Sequence, residues 1–162
     1  MSDWGEDEYV QTKREEGIVL SPVEDEDHPP PLHFGSVDEF VRDYLRNVYR
    51  RRIDGRHRYW AAEWWRYDEA VIRLEALWRA WEHLRLDPAL GMSIWWRDHA
   101  DHHMPILMSE EGPFAVAPET PKNRCKMGEP LPYKPPPKGM FLSSIDSGTE
   151  QTPAKNSAST SR

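Results

Sequence analysis

The run Asp98-His99-Ala100-Asp101-His102-His103 is the densest set of groups in the chain able to hold a metal or move a proton. On a helix, His99 and His103 stand one turn apart on one face, and Asp98 and His102 share another. Two imidazoles so placed, with Asp101 between them, can ligate a divalent metal such as zinc. A carboxylate from a neighbouring helix, Glu69 or Glu82, could then complete the site and leave a position for an activated water. The competing reading is a polar helix end, whose histidines complement the carbonyl pole of the dipole.

A second chemistry lies in Arg50, Arg51, Arg52, Arg56, His57 and Arg58, with Arg42 and Arg46 a few turns earlier. Cations of this density followed by Trp60, Trp64 and Trp65 could form a phosphate-binding edge with stacking platforms. They could equally be a solvated helix end. Nucleophilic catalysis has little support. Ser93 reads as a helix cap, Cys125 falls in a Pro/Lys-rich coil beside Lys126, and no glycine-rich phosphate loop is present. A single cysteine excludes an intramolecular disulfide and any zinc site built from several thiolates.

Charge divides the 162 residues into three zones. Residues 1–35 hold ten acids against Lys13 and Arg14, residues 36–114 hold fourteen acids against twelve bases, and residues 115–162 hold four acids against seven bases. Only the middle zone is both balanced and apolar, and it carries seven of the eight tryptophans. A zone of about 80 residues buries a marginal core, so large aromatic side chains matter there. Residues 1–33, with Glu24-Asp25-Glu26-Asp27 and one apolar triplet at Ile18–Leu20, read as an acidic disordered tail. Such a tail could also lie on the arginine cluster as a mimic of nucleic acid. Residues 115–162 read as a Pro/Lys/Ser-rich disordered tail with polyproline character at Pro135-Pro136-Pro137. No apolar run approaches a membrane span, and the acidic N-terminus is unlike a signal peptide, so the expected location is cytoplasmic.

The elements that must position these groups are helices. Ser36-Val37-Asp38-Glu39 is a capping box, and Val37, Phe40, Val41, Tyr44, Leu45, Val48 and Tyr49 follow at helical spacing, predicting a helix to about Arg52. The stripe Trp60, Trp64, Tyr67, Val71, Leu74, Trp78, Trp81 predicts a short helix over 58–66 and a long one over 69–86, or one bent helix. Ser93 would cap a third, carrying Trp95, Trp96, His99 and His103 and limited by Pro105, before Phe114 folds back onto the core. Adjacent helical positions lie about 100° apart, so one member of each pair, Trp64-Trp65 and Trp95-Trp96, must face a second element or solvent. An exposed Trp among arginines is a common anchor at protein interfaces.

Trp64-Trp65, Glu69-Ala70, Arg73-Leu74, Leu77-Trp78, Trp81-Glu82, Trp95-Trp96-Arg97-Asp98-His99, Asp101, His103 and Gly112-Pro113-Phe114 together resemble the family known as domain of unknown function 4913. The resemblance covers roughly Phe34 to Phe114 and implies an actinobacterial setting, on plasmids or in phages, with no known activity. The family often has His-Pro where this chain has Tyr67-Asp68, and Cys where it has Ala115-Val116-Ala117. If those residues bind metal in relatives, this chain lacks half of the set.

The expectation is an all-α, Trp-rich domain of three to five helices over 34–114, between two disordered tails. Its expected role is a non-enzymatic protein-interaction module, an accessory protein of an actinobacterial phage or mobile element. The contact residues would be Arg51, Arg52, Arg56, Arg58, Trp65, Trp96 and Arg97, the partner another protein, with no membrane contact. Nucleic-acid binding through Arg50–Arg58 is the alternative. A metal-dependent hydrolase using His99, Asp101 and His103 ranks third, and no catalytic residue is assigned.

Overall fold

The computed structural model describes residues 30–144; the acidic N-terminal run and the Ser-rich C-terminal end lie outside the described residues. Three helices form the frame. Helix α1 spans residues 37–48 and widens to a π-helical run at Phe40–Leu45. Helix α2 is Asp68–Leu84, and helix α3 spans residues 91–108 with a second π-helical run at Trp95–Ala100. Short 3-10 turns at Trp64–Arg66, Pro113–Val116 and Pro121–Asn123 complete the elements. Among the described residues there is no strand, only one antiparallel bridge between Ile53 and Cys125.

Helix α1 begins as its capping box requires. The Ser36 hydroxyl accepts from the Glu39 amide at 3.3 Å, but Glu39 reaches back to the Gly35 amide (2.8 Å). The helix stops at Val48, four residues short of the expected end. Tyr49 leaves with φ −93° and ψ 68° to bury its ring, and the chain then runs to Ile53, which pairs with Cys125. The expected helix over 58–66 is also absent apart from its last turn. Trp60 and Trp64 are both buried, yet the backbone between them is irregular: Trp60 is held by Phe114 at 4.8 Å and donates its indole N–H to the Pro132 carbonyl at 2.8 Å. Tertiary packing therefore overrides a spacing that reads as helical.

Helix α2 follows the stripe, burying Ala70, Leu74, Leu77, Trp78 and Trp81, with Asp68 and Glu69 at its positive pole. Asp87 accepts from the amides of Ala89 and Leu90 in the turn after α2, so α3 starts at Gly91, two residues before the expected cap Ser93. A Cβ at Gly91 would stand 1.8 Å from the Leu84 carbonyl oxygen, so the tight α2–α3 turn requires glycine. Pro105 does not end α3. Its ring would press on the Asp101 carbonyl, but Asp101 leaves the π-helical run at φ −72° and ψ −12°, off ideal helix, and the helix continues to Met108.

Between α1, α2 and α3 lies an aromatic core. Phe40 and Tyr44 stack at 5.6 Å, Tyr44 and Phe34 meet Trp81 at 5.0 Å, and Trp95 closes on both Phe40 and Tyr44. Each ring pair adds about 0.5–1.5 kcal/mol beyond simple burial, which suits a small core.

The described structure does not end at Phe114. Residues 117–144, assigned by composition to a disordered tail, form a strap over one side of the frame. Leu131 is fully buried and exchanges backbone and guanidinium hydrogen bonds with Arg46. The Lys134 amide donates to the Ala62 carbonyl, Tyr133 donates to Asp38, and Phe141 stacks on Trp64 at 5.4 Å. The boundary at 114 is thus corrected through 144. A segment with many prolines can pack through isolated anchors without any helical or strand period.

Candidate binding groove

The strap and the irregular segment before α2 enclose two depressions that share Arg124, Cys125 and Glu129. The inner one, about 680 Å³, is walled by Ala61 to Tyr67 on one side and by strap residues Pro118 to Lys134 on the other. The outer one, about 730 Å³, lies between Arg52–His57 and Arg124–Glu129. Both are open to solvent, so together they make a trough rather than a closed cavity.

The loop Asp54–Arg58 is shaped by one carboxylate. Asp54 accepts from the amides of Arg56, His57 and Arg58 at 2.9–3.2 Å and from the His57 ring at 3.0 Å. These bonds, those from His57 foremost, hold its carboxyl far below the ordinary range despite some burial. Gly55 turns the loop at φ 70°. The result presents Arg56 and His57 outward, with Arg52 loosely paired to Asp54 at 3.7 Å. Across the trough, Arg124 reaches Glu119 at 3.4 Å. In the inner half Glu63 is clamped by Arg66 and Lys134, whose hydrogen bonds (that of Lys134 foremost) lower its pKa.

The expected contact residues do not gather on one surface. Arg52 and Arg56 line the trough. Arg51 instead lies over the Tyr49 ring at 4.2 Å, whose other partner is Trp96, stacked at 5.9 Å and 16°. Trp96 is thus half-buried while Trp95 is fully buried, and Trp65 is half-buried beside fully buried Trp64, as the pairing argument requires. Trp65 spends its indole N–H on the Lys134 carbonyl at 3.1 Å, next to the inner half. Arg58 is exposed, and Arg97 is engaged by its neighbour Asp98 on α3.

The histidine cluster has different neighbours from those a metal site needs. Among the described residues no three His, Cys, Asp or Glu side chains converge to hold a metal. The Arg73 guanidinium meets Nδ1 of His103 at 3.3 Å, and burial, then His102, Arg73 and His99, push the His103 pKa below 6.5. Glu69 is paired with Arg73. Glu82 is also committed elsewhere: it accepts from the amides of His33 and Phe34, from the Trp78 indole and from Arg85. Cys125 is equally unsuited as a nucleophile, since burial pushes its thiol up and Sγ donates to the Arg51 carbonyl at 3.2 Å.

Sequence reasoning missed the strap's cations, Lys122, Arg124 and Lys126. No single period marked them, because Lys122 lies in the 3-10 turn Pro121–Asn123 and Arg124 in the extended backbone that follows it. No described helix is long and apolar enough to cross a membrane. No curated protein and no solved structure matches this chain. A family model does match, that of Domain of unknown function (DUF4913), over residues 34–137, a span that takes in the three helices, the trough and most of the strap. The chain belongs to the DUF4913 family.

Proposed function

We propose that this chain is a non-enzymatic protein-interaction module, an accessory protein of an actinobacterial phage or mobile element, and that its partner lies in the trough. The observation that carries the reading is the trough itself, two solvent-open depressions of about 680 and 730 Å³ that share Arg124, Cys125 and Glu129. Enclosed apolar pockets suit small ligands, whereas an open trough with mixed polar and apolar walls suits a polymer segment. Trp65, next to the inner half, supplies the aromatic edge that protein interfaces favour. The phage or mobile-element setting rests on the sequence resemblance, and the absence of lysine between residues 34 and 114 suits a high-GC host.

A second reading, nucleic-acid binding through Arg50–Arg58, draws on the exposed Arg56 and Arg58 side chains, which have no ion-pair partner among the described residues. Site-specific photo-crosslinking separates the two. A crosslinker at Met127 or Lys122 in the full chain, activated in an actinobacterial lysate, should yield one discrete protein adduct. The same group at Ile72, exposed on α2, should not. Adducts only to nucleic acid, or equal adducts from Ile72, would overturn the proposal.

A further inference from the structure

We infer that the trough accepts an extended acidic segment of the partner protein, with its carboxylates meeting the cations that the strap sets in order along one wall. The inference rests on the interaction-module reading and names the chemistry of the partner.

Charge supplies the first argument. The trough is lined by Arg52, Arg56 and Lys126 in its outer half, Arg66, Lys122 and Lys134 in its inner half, and Arg124 in both. Against these seven cations stand three carboxylates, Asp54, Glu63 and Glu129. All three are engaged within the fold: Asp54 by the loop amides, Glu63 by Arg66 and Lys134, and Glu129 by the Lys126 amide at 2.7 Å. The side chains of Arg56, Lys122 and Lys126 have no ion-pair partner among the described residues. A net-positive trough therefore sits on a chain whose formal charge is −7.

Order supplies the second. Lys122 lines the inner half, Arg124 both halves and Lys126 the outer half, so their sequence order runs along the trough. Lys122 sits in the 3-10 turn Pro121–Asn123 and the chain leaves it extended at Arg124 (φ −112°, ψ 147°), so the alternate residues Arg124 and Lys126, on either side of the bridged Cys125, are spaced by about 6–7 Å. An extended peptide repeats its own alternate side chains at the same interval. Between the cations, Ala61, Ala62, Pro118 and Pro132 offer apolar wall to the peptide's backbone and intervening side chains.

The same features disfavour a nucleic-acid strand. Asp54, Glu63 and Glu129 would stand against a continuous phosphate backbone, which carries no gaps in its charge. Of the two tyrosines lining the inner half, Tyr133 has the Arg46 guanidinium over its ring at 5.5 Å and Tyr67 packs against Phe114 at 5.4 Å and 84°, whereas single-strand binding depends on free ring faces for stacking.

The test is fluorescence anisotropy on the full chain with a labelled peptide of about ten residues in which Glu alternates with Ser. Controls are the same peptide with Gln for Glu and an oligothymidylate of equal length. The acidic peptide should bind, weaken severalfold as salt is raised, and bind about tenfold or more weakly to the Arg56→Glu/Lys126→Glu double variant. Glu75→Lys on α2 should leave it unchanged. Both substituted cations lack side-chain partners, so unchanged thermal melting certifies the fold. Equal or absent binding of the Glu and Gln peptides would overturn the acidic-partner inference while leaving a protein crosslink from Met127 intact. Tighter binding of oligothymidylate would overturn both it and the interaction-module reading in favour of nucleic acid.

Discussion

Glu82 shows what one residue does in this fold and why its role was hidden. It is 7% exposed, and its two oxygens collect the amides of His33 and Phe34, the Trp78 indole and the Arg85 guanidinium. Arg85 in turn donates to the Pro31 carbonyl at 2.6 Å, so this pair ties the entry segment to α2 and seats Phe34 on Trp81. From the sequence, Glu82 is merely a carboxylate on a helix near histidines, because two of its four partners, the His33 and Phe34 amides, lie 49 and 48 residues away. The tryptophan pairs were legible by contrast, since helical geometry alone splits inward from outward members. Burial by itself would raise the Glu82 pKa, but the four donors outweigh it and bring it below 4.5. A depressed carboxylate contributes stability that is full above its unfolded pKa and lost as pH falls through the folded one. Glu82→Gln should therefore cost about 3 kcal/mol in urea unfolding at neutral pH, and its deficit should shrink as pH drops below about 4.5. A variant as stable as the parent at pH 7 would remove Glu82 from this role.

At the scale of elements, the three helices were readable and the strap was not. Helix α2 has its apolar stripe at unbroken three-four spacing, and α1 has a capping box followed by the same pattern. The strap has neither. Its anchors Leu131, Tyr133 and Phe141 are scattered among prolines and lysines; the first two are held by Arg46 and Asp38 of α1 and the third by Trp64. Ile53 and Cys125 pair for a single bridge, too short to leave an alternating pattern. The irregular stretch from Tyr49 to Glu63 misled for a related reason: its aromatic spacing imitates a helix while distant contacts decide its path. If the strap belongs to the cooperative unit, Leu131→Ala in the full chain should lower unfolding free energy by about 2–5 kcal/mol. Urea unfolding followed by tryptophan fluorescence reads this directly, and a change below about 0.5 kcal/mol would mean that the strap does not fold with the helices.

Across the whole molecule, the sequence separates charge and the fold arranges it. Residues 1–35, with ten acids against two bases, carry a net charge of −8, while residues 30–144 hold seventeen bases against sixteen acids and place three unpaired cations, Arg56, Lys122 and Lys126, at one trough. Half of that trough was visible as the cluster Arg50–Arg58. The other half comes from strap residues that composition alone assigns to a tail, so the candidate site could not be assembled from the sequence. In the histidine run at 98–103, the sequence's most chemical-looking feature, His103 meets the Arg73 guanidinium and Asp98 pairs with Arg97. The central claim is that this trough is the surface the protein uses. Amide hydrogen exchange on the full chain, alone and with the partner identified by crosslinking, tests it most directly. Slowed exchange at residues 52–58 and 122–129 on binding is the predicted result. Protection confined to the outward face of α2, with the trough unchanged, would contradict it.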